Sequence, residues 1–212
     1  MLTGGSGFLG EPVRERLLAA GASDVFVPRR AQYDLTDATA ADRTMAAAVE
    51  RFGRLDALLN IAGGFVWQTV DDPEPAWSRM FALNLSTAVN ACRAALPYLK
   101  ASHGRVVTVA STLGKRAVAD ATAYCASKFG VVGFSHALAA ETGGEIGVTT
   151  MIPGGMKTRF FDDRTEQYKP QDDSRLNDPA NTAQAILFAL SQPTGCEVRE
   201  MLICHEEEGS WP

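Results

Sequence analysis

Tyr124-Cys125-Ala126-Ser127-Lys128 sets a phenol and an ammonium four residues apart, a spacing that puts both on one face of a helix. A free tyrosine titrates near ~10 and exchanges protons poorly at neutral pH, whereas a neighbouring ammonium favours the phenolate. The pair therefore suits general acid or base work on an alcohol or carbonyl oxygen. Chance supplies about 0.1 such pairs in a chain of this composition, so the match is informative without being decisive. The plainer alternative is a buried tyrosine with a satisfied hydroxyl. Ser111 ends the strand-like run Arg105–Ala110, where its hydroxyl either bonds the same substrate oxygen or caps a turn. Asn84 sits in a helical stretch although asparagine is a poor helix former. It suits either an anchor for a water reaching Lys128 or a merely solvated side chain.

A second constellation opens the chain. Thr3-Gly4-Gly5-Ser6-Gly7-Phe8-Leu9-Gly10 stands where a first strand turns into a first helix. Glycines permit tight backbone geometry and let a pyrophosphate approach the helix N–H groups, although a glycine-rich turn alone is weak evidence. Further on, Pro28-Arg29-Arg30 follows a second candidate strand. A site preferring NAD places a carboxylate there for the ribose hydroxyl, while two arginines suit a 2′-phosphate. NADP is thus favoured and NAD possible, the alternative being that both arginines are solvated.

Several elements must position these groups. Strands are expected over Asp24–Val27, Leu55–Ile61, Arg105–Ala110, Ile146–Ile152 and Val198–Ile203, with only Met1 and Leu2 ahead of the glycine loop. Near-continuous apolar runs of this length fit strands buried on both faces. Helices are expected over Glu11–Ala20, Asp37–Phe52, roughly Pro75–Lys100 as one long helix, Thr122–Glu141 and Pro179–Ser191. The alternation predicts an α/β chain with right-handed crossovers and a ligand at the carboxyl ends of the strands.

The chain of 212 residues suggests one domain. Its 20 basic against 25 acidic residues give a net charge of −5, which disfavours nucleic acid as a partner. No apolar run is long enough to cross a membrane and no signal peptide is expected, so a cytoplasmic protein is predicted. Cys92, Cys125, Cys196 and Cys204 form no pair, and three histidines offer no metal-ligand spacing. No metal is expected, and the thiols are read as buried and reduced.

Taken together, the glycine loop, Asn60-Ile61-Ala62-Gly63, Asn84, Ser111, Tyr124-x-x-x-Lys128 and Pro153-Gly154…Thr158 resemble the short-chain dehydrogenase/reductase family, in the family's order and over nearly the whole chain. The resemblance implies a Rossmann fold: a three-layer, doubly wound parallel sheet, here with a truncated first strand. It implies hydride transfer between NADP(H), or NAD(H), and an alcohol or ketone, that is, an oxidoreductase acting on CH–OH groups. Tyr124 would be the acid/base, Lys128 would assist it and hold the ribose, Ser111 would orient the substrate oxygen, and Asn84 would support a proton relay. The cofactor would meet Gly4, Ser6, Gly7, Phe8, Leu9, Gly10, Arg29 and Arg30, with Asn60, Ala62 and Gly63 on the adenosine side. Asp34 and Leu35 would lie against the adenine, Pro153, Gly154 and Met156 would frame the nicotinamide, and Thr158 would approach the phosphates.

Two departures stand out. The glycine spacing and residues 4–37 resemble the start of a GDP-fucose synthase, a longer sugar-nucleotide branch, and the helix usual between the second and third strands is missing. A substrate lid is expected at about 156–178, carrying Phe160, Phe161 and Tyr168. Small residues along Thr122–Glu141 (Ala126, Gly130, Val131, Gly133, Phe134, Ala137, Ala140) predict a homodimer or homotetramer through that helix. A non-catalytic NAD(P)-binding sensor or scaffold, or a chain that survives only as an assembly partner, is the rival reading.

Overall fold

Alternation along short apolar strands builds two hydrophobic faces on one sheet. The computed structural model describes residues 1–72, 75–158, 172–209 and 211. Among them, β1 (Leu2–Thr3), β2 (Ala57–Asn60), β3 (Arg105–Val109), β4 (Gly147–Pro153) and β5 (Glu200–Ile203) lie parallel and side by side in chain order. Leu2 pairs with Leu59, Leu59 with Val107, and Val107 with Thr149. Because successive residues point to opposite faces, Leu58 and Val106 pack with α2 (Ala38–Phe52), α4 (Thr87–Ser102) and α5 (Thr122–Thr142). Leu59 and Val107 pack on the other side with α1 (Gly10–Ala19) and α6 (Pro179–Leu190). The result is a Rossmann-like α/β sandwich of three layers.

Helix ends follow from their capping residues. Asp37 accepts a hydrogen bond from the Thr39 N–H at the start of α2, and Gly53 ends that helix in the left-handed region at φ +76°. Asp178 caps α6 ahead of Pro179, whose missing N–H costs nothing in the first turn.

Two expected elements differ. Residues Asp24–Val27 do not form a strand. The Leu2 N–H donates to the Phe26 carbonyl at 2.9 Å, and Val25 and Val27 pack against the α1–α6 face, but β1 is two residues long and offers too little edge for a ladder. The segment lies along the edge of β1 opposite β2, so the winding reverses between β1 and β2. The long helix expected over Pro75–Lys100 is broken into α3 (Pro75–Phe81), a π turn over Ala82–Ser86, and α4. In that turn the Thr87 N–H donates to the Ala82 carbonyl, five residues back, and Asn84 is buried.

The cysteines are likewise mixed. Cys92 and Cys125 are buried, Cys204 is half-buried and Cys196 is exposed; none is paired. Cys196 lies beyond the end of α6, where no core covers it. Burial pushes the Cys92 thiol up to about 12, so it stays protonated.

Candidate active site

The residues expected to handle protons meet where the carboxyl ends of β2 and β3 face the first turns of α5. Helical spacing puts Lys128 one turn beyond Tyr124, and the Lys128 Nζ stands 5.7 Å from the tyrosine ring centroid. That amine donates to the Val109 carbonyl at the end of β3, at 3.1 Å. Lys128 is only 6% exposed, and burial lowers its pKa to about 8. It therefore remains mostly cationic at neutral pH, held close to the point of losing its proton.

Asn84 joins this pair through α5. Its Nδ2 donates to the Ser127 hydroxyl at 3.0 Å, and that hydroxyl donates to the Tyr124 carbonyl at 2.8 Å. The Oδ1 of Asn84 accepts from the Gly64 N–H at 2.8 Å. Gly63 is exposed and fits between these groups: a Cβ there would stand 2.7 Å from the Asn84 Oδ1 and 3.7 Å from the Lys128 Nζ. Asn84 is thus a buried anchor tying the loop after β2 to the helix that carries Tyr124, and the π turn is what points it inward. Ser111 is half-buried, and its hydroxyl accepts from the Leu113 N–H at 3.1 Å, capping the turn that follows β3. Its own proton remains for a second acceptor.

Around the glycine loop, packing replaces side chains. Gly4 adopts φ +68°, a backbone region that favours glycine, and a Cβ there would strike the Ala62 nitrogen at 2.7 Å. A Cβ on Gly10 would stand 2.1 Å from the Gly4 carbonyl oxygen, so α1 presses directly on the loop. The Gly7 N–H donates to the Gly4 carbonyl at 2.9 Å, Leu9 is buried as the residue before α1, and Ser6, Gly7 and Phe8 are exposed. A cleft of about 770 Å³ opens between this loop and residues 24–33, lined among others by Gly5, Ser6, Arg14, Arg29 and Arg51. Arg51 is ion-paired with Asp24, whereas Arg29 makes no ion pair among the described residues.

Other expected cofactor positions are placed differently. Arg30 is exposed and reaches Asp34 at 3.6 Å, outside the lining of that cleft. The Asp34 carboxylate is taken up by the Thr36 hydroxyl and N–H, which hold its pKa down. Leu35 is buried in the core beside α2 and α4. Asn60 points to the α4 side of the sheet, its Nδ2 donating to the Cys92 sulfur at 3.2 Å. Pro153 closes β4, and the Gly154 N–H donates to the Ile203 carbonyl at 2.8 Å. Met156 bridges to Asn177, with the Lys157 N–H donating to the Asn177 carbonyl at 2.8 Å. Thr158, half-buried, follows this neck, while Phe160, Phe161 and Tyr168 lie outside the described residues.

Several contributors were not singled out in the sequence. Thr3 is buried and its hydroxyl donates to the Leu59 carbonyl while accepting from the Ile61 and Ala62 N–H groups, which fixes the loop at the end of β2. Glu208 accepts from the Gly155 N–H at 2.8 Å and overlies Gly154. Phe65 meets Tyr124 at a ring separation of 4.4 Å. Ser127, hidden as a variable position within Tyr-x-x-x-Lys, had the clearest signal: it is the one hydroxyl on the same turn. Among the described residues no metal-holding cluster occurs and no helix is long and apolar enough to cross a membrane.

The family model described as short chain dehydrogenase matches residues 29–169, a span that starts after the glycine loop. A 2,5-dichloro-2,5-cyclohexadiene-1,4-diol dehydrogenase of Sphingobium indicum is 32% identical over 185 residues, covering 82% of this chain and 71% of that protein. An uncharacterized oxidoreductase of Staphylococcus aureus is 32% identical over 175 residues, covering 80% of this chain and 73% of its own. An alcohol dehydrogenase of Thermococcus sibiricus, solved with 5-hydroxy-NADP, superposes with a TM-score of 0.82 at 19% identity, covering 98% of this chain and 96% of that one; this likeness is one of fold. With a family model matching well over half of its length and relatives at this identity, the chain belongs to the short chain dehydrogenase family of oxidoreductases.

Proposed function

We propose that the protein interconverts a secondary alcohol and a ketone with NADP(H), NAD(H) being the weaker alternative. The observation that carries this reading is the buried cation of Lys128 set 5.7 Å from the Tyr124 ring, at the carboxyl ends of the strands. Support for a dinucleotide comes from the tight glycine loop ahead of α1, the bare Gly63 beside Lys128, and Arg29 on the cleft, which has no ion pair among the described residues. The positions proposed to hold it are the glycine loop with Gly4, Ser6 and Gly7, the Ala62-Gly63 turn, Arg29 rather than Arg30, and the Pro153–Met156 loop. When bound, such a cofactor accepts or supplies the hydride.

The chain's own part is the proton. Tyr124 gives a proton to the substrate oxygen in reduction and takes one in oxidation. The Lys128 charge stabilises the negative charge that develops on the phenol oxygen, more strongly for being buried. Ser111 bonds the same substrate oxygen with its remaining proton, and Asn84 keeps α5 and the loop after β2 in register. The relative that carries a diol dehydrogenase name supports an alcohol as the reacting group. A cytoplasmic location fits four cysteines without a disulfide. The lid at 156–178 belongs to this proposal, supported by the Met156–Asn177 neck, as does a homo-oligomer through the outer face of α5.

Replacing Tyr124 with Phe tests the reading. Turnover of ketone with NADPH is expected to fall by about 10²- to 10⁴-fold while the Kd for NADPH holds. Nucleotide binding with no turnover in the parent protein points instead to a sensor or scaffold, and no nucleotide binding at all overturns the enzyme reading.

A further inference from the structure

The loop after β2 is pinned at both ends and delivers aromatic rings to the proposed proton donor. At one end the Gly64 N–H is held by Asn84. At the other, Gln68 is 5% exposed; its N–H donates to the Asp120 carbonyl at 2.6 Å and its carbonyl accepts from the Thr122 N–H at 3.3 Å, just ahead of Tyr124. Between these anchors Phe65 packs edge-on against the Tyr124 ring, centroids 4.4 Å apart and planes at 60°. Trp67 in turn meets Phe65 at 4.9 Å and 77°. Leu113, from the turn capped by Ser111, packs on the same cluster. Phe65, Trp67 and Leu113 are all half-buried, so part of each side chain stays accessible around a Tyr124 that is itself 7% exposed.

A substrate oxygen bonded to the Tyr124 hydroxyl must sit within hydrogen-bond reach, which brings its flanking carbons alongside these rings. The side chains that meet Tyr124 from this loop and turn, Phe65 and Leu113, are apolar, and the Lys128 ammonium stands 5.7 Å from the Tyr124 ring, so hydroxyl-rich flanks laid against those two would lose water for little return. Rings and aliphatic carbons instead bury area and make the tilted contacts that aromatic edges favour. Resting on the oxidoreductase reading above, we infer that Phe65, backed by Trp67, selects alcohols and ketones with an apolar ring, alicyclic or aromatic, that contains or adjoins the reacting carbon.

The test compares acetophenone and cyclohexanone with dihydroxyacetone as NADPH-dependent substrates, in the parent protein, Phe65→Ala and the bulk-preserving Phe65→Leu. The parent is expected to favour the ring ketones by about tenfold or more in kcat/KM. In Phe65→Ala that margin, read as the ratio of kcat/KM for the ring ketones to that for dihydroxyacetone, collapses, with the Kd for NADPH little changed; Phe65→Leu falls between. Equal use of dihydroxyacetone by the parent, or an equal loss on all three probes in Phe65→Ala, overturns the inference. Saturation-transfer NMR with 1-phenylethanol and glycerol covers the case of no turnover: selective contact by 1-phenylethanol that is lost in Phe65→Ala is expected, and its absence in the parent overturns the inference. Ketone turnover that depends on Tyr124 but ignores the ring refutes this inference alone. Selective 1-phenylethanol binding without any turnover refutes the oxidoreductase reading alone.

Discussion

Lys128 carries a conflict between stability and function. Its ordinary pKa of 10.5 falls to about 8 in the folded chain, because burial disfavours the charged form. At neutral pH the fold therefore bears a cost of about 3 kcal/mol, at about 1.4 kcal/mol per unit, to keep that ammonium charged. Since the folded pKa is the lower one, the unfolded chain holds more protons between pH 8 and 10.5, and stability contributed by this group rises with pH across that window. Lys128→Met should remove this rise in urea melts at pH 8 and 10, leave stability at pH 7 equal or higher, and still cut turnover by about 10²-fold or more. Ketone reduction in the parent should decline as pH climbs through about 8, where the charge is lost. The Tyr124–Lys128 pairing was readable in the sequence because a four-residue spacing on a helix fixes which side chains are neighbours. Phe65 was not, because its place depends on the remote anchors Asn84 and Gln68.

At the scale of elements, contact between backbones decides what each segment tolerates. The start of α1 lies so close to the glycine loop that a methyl group on Gly10 meets the Gly4 oxygen at 2.1 Å and the Gly5 Cα at 2.5 Å. Neither atom can swing aside as a side-chain end would. Gly10→Ala should destabilise by about 2–4 kcal/mol and abolish nucleotide binding, seen as a lower Tm and a lost NADPH titration. Most elements could be read from apolar patterning: β3, α2 and α6 stand close to where periodicity and capping residues put them. The misses have physical causes. Val25 and Val27 have strand propensity, but a strand needs a neighbour and β1 supplies two residues. The π turn at Ala82–Ser86 adds one residue to one helical turn, too slight a shift to disturb a hydrophobic stripe, and the bonds it lets Asn84 make reach segments remote in sequence.

For the molecule as a whole, the outer side of α5 is an exposed face. Of the small residues along that helix, Val131 is in the core beneath Ile152 and a Cβ on Gly130 would touch Leu85 at 3.1 Å, so both face inward. Phe129, Gly133, Ala137 and Ala140 are exposed, and a Cβ on Gly133 would meet nothing within 4 Å. A 45% exposed phenylalanine beside a flat strip of small residues is the surface proposed for a second copy. Sedimentation should show an oligomer for the parent and a shift to monomer for Phe129→Glu with its fold intact; a parent that sediments as a monomer ends that proposal. The parallel sheet and its layers were evident from strand–helix alternation, whereas this face was not separable from core, since small residues serve both.

One asparagine grips two segments at once. Asn84 holds the root of the aromatic loop by one amide atom and the helix that carries Tyr124 by the other. Substitutions at the loop's roots will therefore disturb chemistry and selectivity together, while those at its tip, Phe65 to Trp67, leave the grip alone. Laboratory evolution toward new substrates has an editable stretch of three residues there, bracketed by two positions it should not touch.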